Sequence, residues 1–271
     1  MDVLGIDFTS RPTARKPIVV AQGRLEGVRL GLQRLEAHPS FEAFSQRLEV
    51  PGPWVGGFDL PFGLPRALVE ALGWPGDWAA LMSHYAGLPR DEVRRAFAAF
   101  CAARPAGSKF VHRACDGPAG SSPSMKWVNP PVALMMHAGV PLLRAAGLHL
   151  PGLQAGDPTR VALEAYPGLL ARELIGRRSY KSDDRAKQTP ERLIARKDAL
   201  EALEQGRTRL GLRLRLSHAQ RDQLADDPSG DRLDAVLCMV QAAWASRQPD
   251  WGLPQPMDPL EGWIVSAPAG G

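Results

Sequence analysis

Residues 1–8, MDVLGIDF, form a short apolar run that ends in a single acid, Asp7, as a buried β-strand would. Two further runs follow, PIVVAQG at 17–23 and LEGVRLGLQRLE at 25–36, and the latter begins with alternating apolar and polar residues, a pattern typical of a half-buried strand. Because the connections between the three runs are short, we expect them to pair as an antiparallel meander.

The elements after the meander alternate between helix and strand. A helix is predicted for FEAFSQRLEV at 41–50, and WVGGFDL at 54–60 has the near-continuous apolar character of a parallel strand buried on both faces. RVALEAYPG at 160–168 is a fifth strand, and GWIVSA at 262–267 is a candidate for a final edge strand. The pattern predicts an α/β protein with a mixed five-stranded sheet, the first strand central and helices on both faces.

Two long segments are predicted to be helical. Residues 63–158 contain the amphipathic runs PRALVEALG and DEVRRAFAAFCAAR, then PPVALMMHAGVPLLRAAG, a helix that should be interrupted at Pro141. We interpret 63–158 as a helical insertion into a single domain that covers residues 1–271. Near the C-terminus, the apolar residues of 230–246 lie all round the predicted helix, so this helix should be buried.

The composition fits a globular protein of a reducing compartment. Of the 271 residues, 44% are hydrophobic and 23% are charged, which allows a substantial core. No apolar stretch is long enough to span a bilayer, and the pattern of a signal peptide is not visible. The 3 cysteines lack CxxC spacing and do not indicate a disulfide framework. We therefore expect a cytoplasmic protein without a membrane partner, in an oligomeric state that the sequence leaves open.

Positive charge is concentrated in one part of the chain. The formal net charge of the chain is +4. Residues 172–221 contain 14 Lys and Arg against 7 Asp and Glu, a surplus of 7 positive charges, so the rest of the chain has a net charge of −3. Such an asymmetry indicates a polyanionic partner, although a solvated charged face is an equally good explanation. The candidate phosphate-binding residues in this segment are Tyr180, Lys181, Arg185, Lys187 and Arg192.

Acids stand at strand ends and on the last helix. They are Asp7, Asp59, Glu164, Asp231 and Asp234, each in or beside an apolar run. Buried carboxylates are costly unless they are paired, and acids drawn together from distant segments indicate a site for a hard divalent cation such as Mg²⁺ or Mn²⁺. Ordinary explanations exist for three of them, since Asp7 can be a polar residue at a strand end, Asp59 precedes a turn and Asp231 can stabilise a helix N-terminus.

Several motifs resemble those of known nucleases. The segment DRLDA is similar to the closing DxxDA helix of RuvC-type Holliday-junction resolvases, and the order of the acids resembles that of the ribonuclease-H-like superfamily. A more extensive resemblance is to the uncharacterised family numbered 429 among the domains of unknown function, whose members are predicted nucleases. It rests on GID at 5–7, FDLPFGLP at 58–65, EAYP at 164–167, DRLDA at 231–235 and EGWIV at 261–265, and omits 73–155.

The resemblance implies a ribonuclease-H-like fold and a metal-dependent nuclease that acts on DNA or RNA. In a two-metal mechanism, carboxylates hold two ions roughly 3.5–4 Å apart, which activate a water and stabilise the leaving oxygen. We expect Asp7 to bridge the ions, with Asp59 and Glu164 on one side and Asp231 or Asp234 on the other. All five acids are therefore candidate metal ligands and catalytic residues.

Two other functions are compatible with the sequence. GIDFTS at 5–10 superficially resembles the strand-one phosphate loop of actin-like phosphotransferases and ATPases, but Phe8 stands where that loop has a glycine. A nucleic-acid-binding protein that kept the fold and lost catalysis is the second alternative. A P-loop motif is absent from the sequence, and the HxxC pair His112 and Cys115 lacks a second pair at zinc-ligand spacing.

Overall fold

The computed structural model describes residues 1–269, so the last two residues of the predicted domain 1–271 lie outside the described part of the chain. One sheet contains the strands β1 (Asp2–Asp7), β2 (Ile18–Glu26), β3 (Arg29–His38), β4 (Trp54–Asp59), β5 (Leu148–His149), β6 (Asp157–Glu164) and β7 (Arg213–Arg215). The α-helices within 1–269 are α1 (Phe41–Leu48), α2 (Arg66–Ala71), α3 (Trp78–Gly87), α4 (Arg90–Ala102), α5 (Asp116–Ala119), α6 (Val132–Ala145), α7 (Pro167–Ile175), α8 (Pro190–Gln205), α9 (His218–Ala225) and α10 (Asp231–Ala245). Short 3-10 helices lie at Arg185–Lys187 and Pro249–Gly252.

The sheet is mixed, with β1 at its centre, in the order β5-β6-β4-β1-β2-β3-β7. β1, β2 and β3 pair antiparallel, which confirms the predicted meander, whereas β4 pairs parallel with both β1 and β6. The protein is therefore α/β, but the prediction of five strands is wrong because β5 and β7 extend the sheet at its two edges. These edge strands have only 2 and 3 residues, too few to show a period of two in the sequence.

The segment 262–267 is not the predicted edge strand. Gly262 and Ser266 have φ angles of 67° and 65°, so the chain turns at both residues and cannot extend along the sheet. The segment contacts β6 where the backbone N–H of Val265 donates to the carbonyl oxygen of Glu164 at 2.9 Å. Its apolar residues are buried by packing and not by strand pairing.

Helix α6 continues through Pro141, contrary to the prediction of an interruption. Proline removes one helical N–H and usually breaks a helix. Here Met136, Val140 and Leu143 of the same helix are buried in the core, and such tertiary packing supplies most of the stability of a helix in a protein. The local cost of the proline is therefore outweighed.

Helices cover both faces of the sheet, and successive residues of β1 point to opposite faces. Val3 belongs to the core beneath α7, α8 and α10, whereas Leu4 and Ile6 belong to the core beneath α1 to α4 and α6. Residues 63–158 contain α2 to α6, and also β5 and the first residues of β6. No helix in the described part of the chain has both the length and the apolar character needed to cross a bilayer.

Glycines let the last helix lie directly on the sheet. A Cβ on Gly5 would come within 1.9 Å of the carbonyl oxygen of Ala235, and one on Gly57 within 2.5 Å of the carbonyl oxygen of Cys238. Any larger residue at these two positions would force α10 away from β1 and β4. The close approach brings the N-terminal turn of α10 to the carboxyl ends of these two strands.

Candidate active site

Two of the predicted acids lie side by side at the end of the central strands. Asp7 and Asp59 are direct partners in the parallel pairing of β1 and β4, so their backbones are about 4.8 Å apart and their side chains point to the same face. Asp7 is only 8% exposed, and Asp59 is partly buried. Within residues 1–269, neither carboxylate accepts a hydrogen bond or forms an ion pair.

Asp234 faces this pair from the first turn of α10 and is completely buried. Its carboxylate accepts hydrogen bonds from the Tyr180 hydroxyl and from the ammonium group of Lys181. The Lys181 side chain is 43% exposed, so it reaches from solvent to a buried acid. The prediction that Tyr180 contacts phosphate does not fit this position, because its hydroxyl is buried against Asp234.

Asp231 lies one turn earlier on the same helix and has a different cationic partner. Lys16 Nζ donates to Asp231 Oδ1 at 2.7 Å and to Asp183 Oδ1 at 2.9 Å. Lys16 belongs to the loop after β1, and its side chain is 39% exposed. The sequence SRPTARKP at 10–17 connects β1 and β2, and the contact of Lys16 with an acid 215 residues away is not predictable from spacing.

The concentration of acids changes their protonation. Burial, followed by the charges of Asp234, Asp231 and Asp59, holds the pKa of Asp7 well above its usual range. Burial and the neighbouring Asp234 raise the pKa of Asp59 to about 7. Burial disfavours the charge on Lys181, but the carboxylates of Asp234 and Asp7 outweigh it and hold the pKa of this amine well above its usual value. Asp7 and Asp59 therefore carry an electrostatic cost that a proton or a cation would relieve.

Glu164 is near these acids but points to the opposite face of the sheet. It is the register partner of Phe58, one residue before Asp59, and side chains alternate along a strand. Its carboxylate is bound in a fork by Arg113, with Nη2 to Oε1 at 2.6 Å and Nη1 to Oε2 at 2.8 Å, and Oε2 also accepts from the Phe62 N–H at 2.8 Å. Both of its oxygens are thus held by fixed protein donors.

The partner of Glu164 comes from the segment that no motif covered. Arg113 is only 3% exposed and also donates through Nη2 to Asp116 Oδ1 at 2.9 Å and through Nη1 to the carbonyl oxygen of Glu261 at 2.9 Å. The sequence reading missed this arginine. The available signal was the spacing of Arg113 and Asp116, since charges three residues apart can pair within one turn.

A small cavity of about 70 Å³ connects Asp59 with Glu164. Tyr166, Ser121 and Met135 also line it. A water molecule needs about 10–15 Å³ of such space, so several waters fit in this cavity. The cavity can therefore hold water beside Asp59 and Glu164.

The basic residues that were predicted to bind phosphate fall into two groups. Lys181 lies at the acids, and Arg185 lines a groove together with Lys16, Asp183 and Asp231. Lys187 is exposed, Arg192 is partly buried, and both are engaged locally. Lys187 Nζ lies 3.5 Å from Asp184 Oδ2, and Arg192 donates to the carbonyl oxygen of Lys187. Only the first group is adjacent to the acids.

The side chains of residues 1–269 include no group of three or more His, Cys, Asp or Glu that is already arranged to hold a metal ion. The donor chemistry nevertheless fits a hard cation at Asp7 and Asp59, whose carboxylate oxygens have no hydrogen-bond donor in the described part of the chain. A third carboxylate, that of Asp234 or Asp231, is close but engaged by a lysine. Exchange of a lysine contact is therefore a condition for a complete site.

No protein family, no curated protein and no solved structure matches this chain. The resemblance to predicted nucleases therefore rests on the motifs alone, and the function has to be inferred from the geometry and electrostatics of the acids.

Proposed function

We propose that this protein is a divalent-metal-dependent nuclease that hydrolyses phosphodiester bonds at the carboxyl ends of β1 and β4. One observation carries the proposal. Asp7 and Asp59 are adjacent, are oriented to one face and receive no hydrogen bond from residues 1–269, in a place where burial makes their charges costly. Acids of this kind are typical of sites that bind a cation, since structural acids normally acquire partners.

The arrangement of the sheet supports a ribonuclease-H-like interpretation. The features behind the resemblance were a first-strand acid in a three-stranded meander, an acid on the next strand and acids on a late helix. All three features meet at one edge of the sheet, because β4 pairs in parallel with β1 and α10 lies across both strands. Glu164 differs from this interpretation in pointing to the opposite face.

In this proposal Mg²⁺ or Mn²⁺ is held by Asp7 and Asp59, with Asp234 or Asp231 as a further ligand. The bound ion supplies charge neutralisation and a more acidic water. Lys181 keeps a positive charge at the solvent side of Asp234, where it can contact a phosphate oxygen of the substrate. Tyr180 fixes the orientation of Asp234 through its hydroxyl.

The direct test is the cleavage of labelled single-stranded, duplex and branched DNA and RNA in Mg²⁺ or Mn²⁺. Asp7→Asn should abolish cleavage and leave the fold intact, and it should raise the melting temperature of the metal-free protein because it removes one repelling charge. Asp198→Asn is a matched control, since Asp198 is exposed on α8 and pairs with Arg178 at 2.6 Å. Equal cleavage by the wild type and Asp7→Asn would assign the activity to another site or to a contaminant.

Two other outcomes would replace the proposal. Binding of Mn²⁺ and oligonucleotide without any turnover would indicate a nucleic-acid-binding protein that retains the fold. Hydrolysis of ATP without cleavage of polynucleotides would favour the actin-like alternative. A parallel assay of ATP hydrolysis by the wild type and Asp7→Asn separates these cases.

A further inference from the structure

A second groove opens where the chain leaves β1, on the side of the helical insertion. It has a volume of about 590 Å³ and is lined by the loop after β1 and the N-terminal residues of α1 and α4, among them Arg11, Phe41 and Arg90. The ring of Phe8, the residue after Asp7, packs on the ring of Phe41 with 6.1 Å between centroids. The groove is thus a direct continuation of the strand that ends in Asp7.

The cations of this groove are not neutralised. Arg11 is exposed and Arg90 is half-buried, and neither forms an ion pair within residues 1–269. Burial, then the like charges of Arg11 and Arg94, lower the pKa of Arg90, and no carboxylate offsets them. Arg90 Nη2 donates to the carbonyl oxygen of Ser10 at 2.9 Å, which ties Arg90 to the loop that carries Arg11, and both arginines line the same groove.

The groove on the other side of the acids is different. It also has a volume of about 590 Å³, but Asp183, Asp227 and Asp231 line it together with its cations. The ammonium group of Lys16 is already bonded to two of these acids. An anion would find at Arg11 and Arg90 positive charge that no carboxylate of residues 1–269 pairs, whereas at Lys16 it would have to displace a carboxylate.

We infer that Arg11 and Arg90 form a subsite for one phosphate of the bound nucleic-acid strand. Arg11 is four residues beyond Asp7, so the two Cα atoms are at most about 14 Å apart. Phosphates of one strand in a duplex follow one another every 3.4 Å along the axis, so one strand that passes Asp7 can reach this subsite within a few nucleotides. Guanidinium groups suit the role because their planar donors match phosphate oxygens. The inference rests on the proposed function, since it assumes that the strand also reaches Asp7.

Binding, measured apart from cleavage, tests the subsite. A fluorescein-labelled single-stranded 12-mer is titrated with full-length Asp7→Asn protein in Mg²⁺, and anisotropy is followed at several salt concentrations. Adding Arg11→Gln should weaken binding roughly fivefold and reduce the slope of log K against log salt by about 0.7, the value for one lost contact to a single strand. Arg213→Gln, an exposed arginine on the edge strand β7, is the matched control and should change the affinity less than about twofold.

Two additional arms make the result unambiguous. Arg90→Lys keeps the positive charge but loses the planar pair of donors of the guanidinium group. Its affinity for the 12-mer should therefore lie between that of the Asp7→Asn parent and that of the Arg11→Gln variant. A 5′-mononucleotide carries a single phosphate and cannot occupy Asp7 and Arg11 together, so Arg11→Gln should change its affinity less than that of the 12-mer. Equal effects of Arg11→Gln and Arg213→Gln, an unchanged salt slope or no binding of the 12-mer would overturn the inference. Cleavage by the wild type is a separate measurement, so failure of the subsite and failure of the nuclease proposal remain distinguishable.

Discussion

Two sets of buried carboxylates lie at the same edge of the sheet and have opposite environments. Glu164 ends β6 and receives two hydrogen bonds from Arg113 and one from the backbone of Phe62. Asp7 and Asp59 end the neighbouring strands β1 and β4 and receive none from residues 1–269. All three are carboxylates at strand ends and Asp7 is nearly as buried as Glu164, so the difference lies in the partners that the fold provides.

The difference follows from strand register. Asp7 and Asp59 are opposite each other and face α10, whereas Glu164 is opposite Phe58 and faces the helical insertion. The insertion contributes Arg113, while α10 contributes further acids. A buried acid that meets a fixed arginine becomes part of the structure, and one that meets other acids remains available for a ligand.

The network around Arg113 connects distant parts of the chain. Besides Glu164, Arg113 binds Asp116 and the backbone of Glu261, and the Glu261 carboxylate accepts from the N–H groups of Arg66 and Ala114 at 2.9 and 2.8 Å. Burying such charges is expensive, but every charge here has a partner, which offsets much of the cost. This network therefore joins β6, the insertion and the C-terminal segment.

The largest effect should come from removing the arginine of this network. Arg113→Met leaves the buried carboxylates of Glu164 and Asp116 without their cation, which typically costs about 3–5 kcal/mol of unfolding free energy. Urea denaturation of the metal-free protein at pH 7 measures this loss. The double variant Arg113→Met, Glu164→Gln should recover part of it, because one of the stranded charges is gone. If Arg113→Met lowers the unfolding free energy by less than about 1 kcal/mol, Glu164 does not depend on its arginine. The contrast between Glu164 and the pair Asp7 and Asp59 would then be lost.

The second effect concerns the dependence of stability on pH. The pKa of Asp59 is about 7 in the folded protein against an ordinary value of 3.8, so the folded state binds the extra proton between these two values. Stability therefore falls as pH rises from about 4 to 7 and stays low above 7. Since Asp59 is partly accessible to solvent, we expect it to contribute about 2 kcal/mol to this fall.

Asp59→Asn should remove that part of the slope. The variant should match the wild type near pH 4 and exceed it in stability at pH 8, with urea midpoints measured in the absence of divalent ions. The pKa of Asp7 is raised in the same direction, so some slope should remain. Asp198→Asn serves as the control with an unchanged slope. An unaltered slope in Asp59→Asn would show that this acid is already compensated in solution.

The sequence predicted the parts of the fold that have long, regular patterns. The meander, β4 and β6 were found because each strand has at least 6 residues with a clear apolar pattern. GWIVSA at 262–267 has the composition of a strand, but the turns at Gly262 and Ser266 depend on contacts that the sequence does not display. β5 and β7 are too short for any pattern.

The acids were predictable in position but not in their environment. Residues that end adjacent parallel strands meet at one edge, so the proximity of Asp7 and Asp59 follows from the strand assignments. The basic residues that pair with the acids were not predictable from the sequence. Arg113 and Glu164 are 51 residues apart, and Lys16 and Asp231 are 215 residues apart. Only the folded chain separates an acid that is bound by protein from an acid that is free to bind a ligand.

Asp231 is intermediate between the two sets, and it should give the smallest effect. It is buried like Asp7, but it has a cationic partner, Lys16, as Glu164 has Arg113. Lys16 is partly exposed and remains paired with Asp183 when Asp231 loses its charge. Loss of the ion pair and of the favourable position at the N-terminus of α10 should cost about 0.5–1 kcal/mol, and relief of the repulsion on Asp7 offsets part of it.

Asp231→Asn should therefore change the unfolding free energy by less than about 1 kcal/mol in urea denaturation at pH 7. A second experiment measures the melting temperature with and without Mn²⁺. A ligand that binds only the folded state raises this temperature. Asp231→Asn should keep most of this rise and Asp234→Asn should lose it, because Asp234 is the fully buried acid that faces Asp7 and Asp59. If Asp231→Asn instead destabilises the protein by more than about 2 kcal/mol, the pair with Lys16 is structural and Asp231 belongs with Glu164.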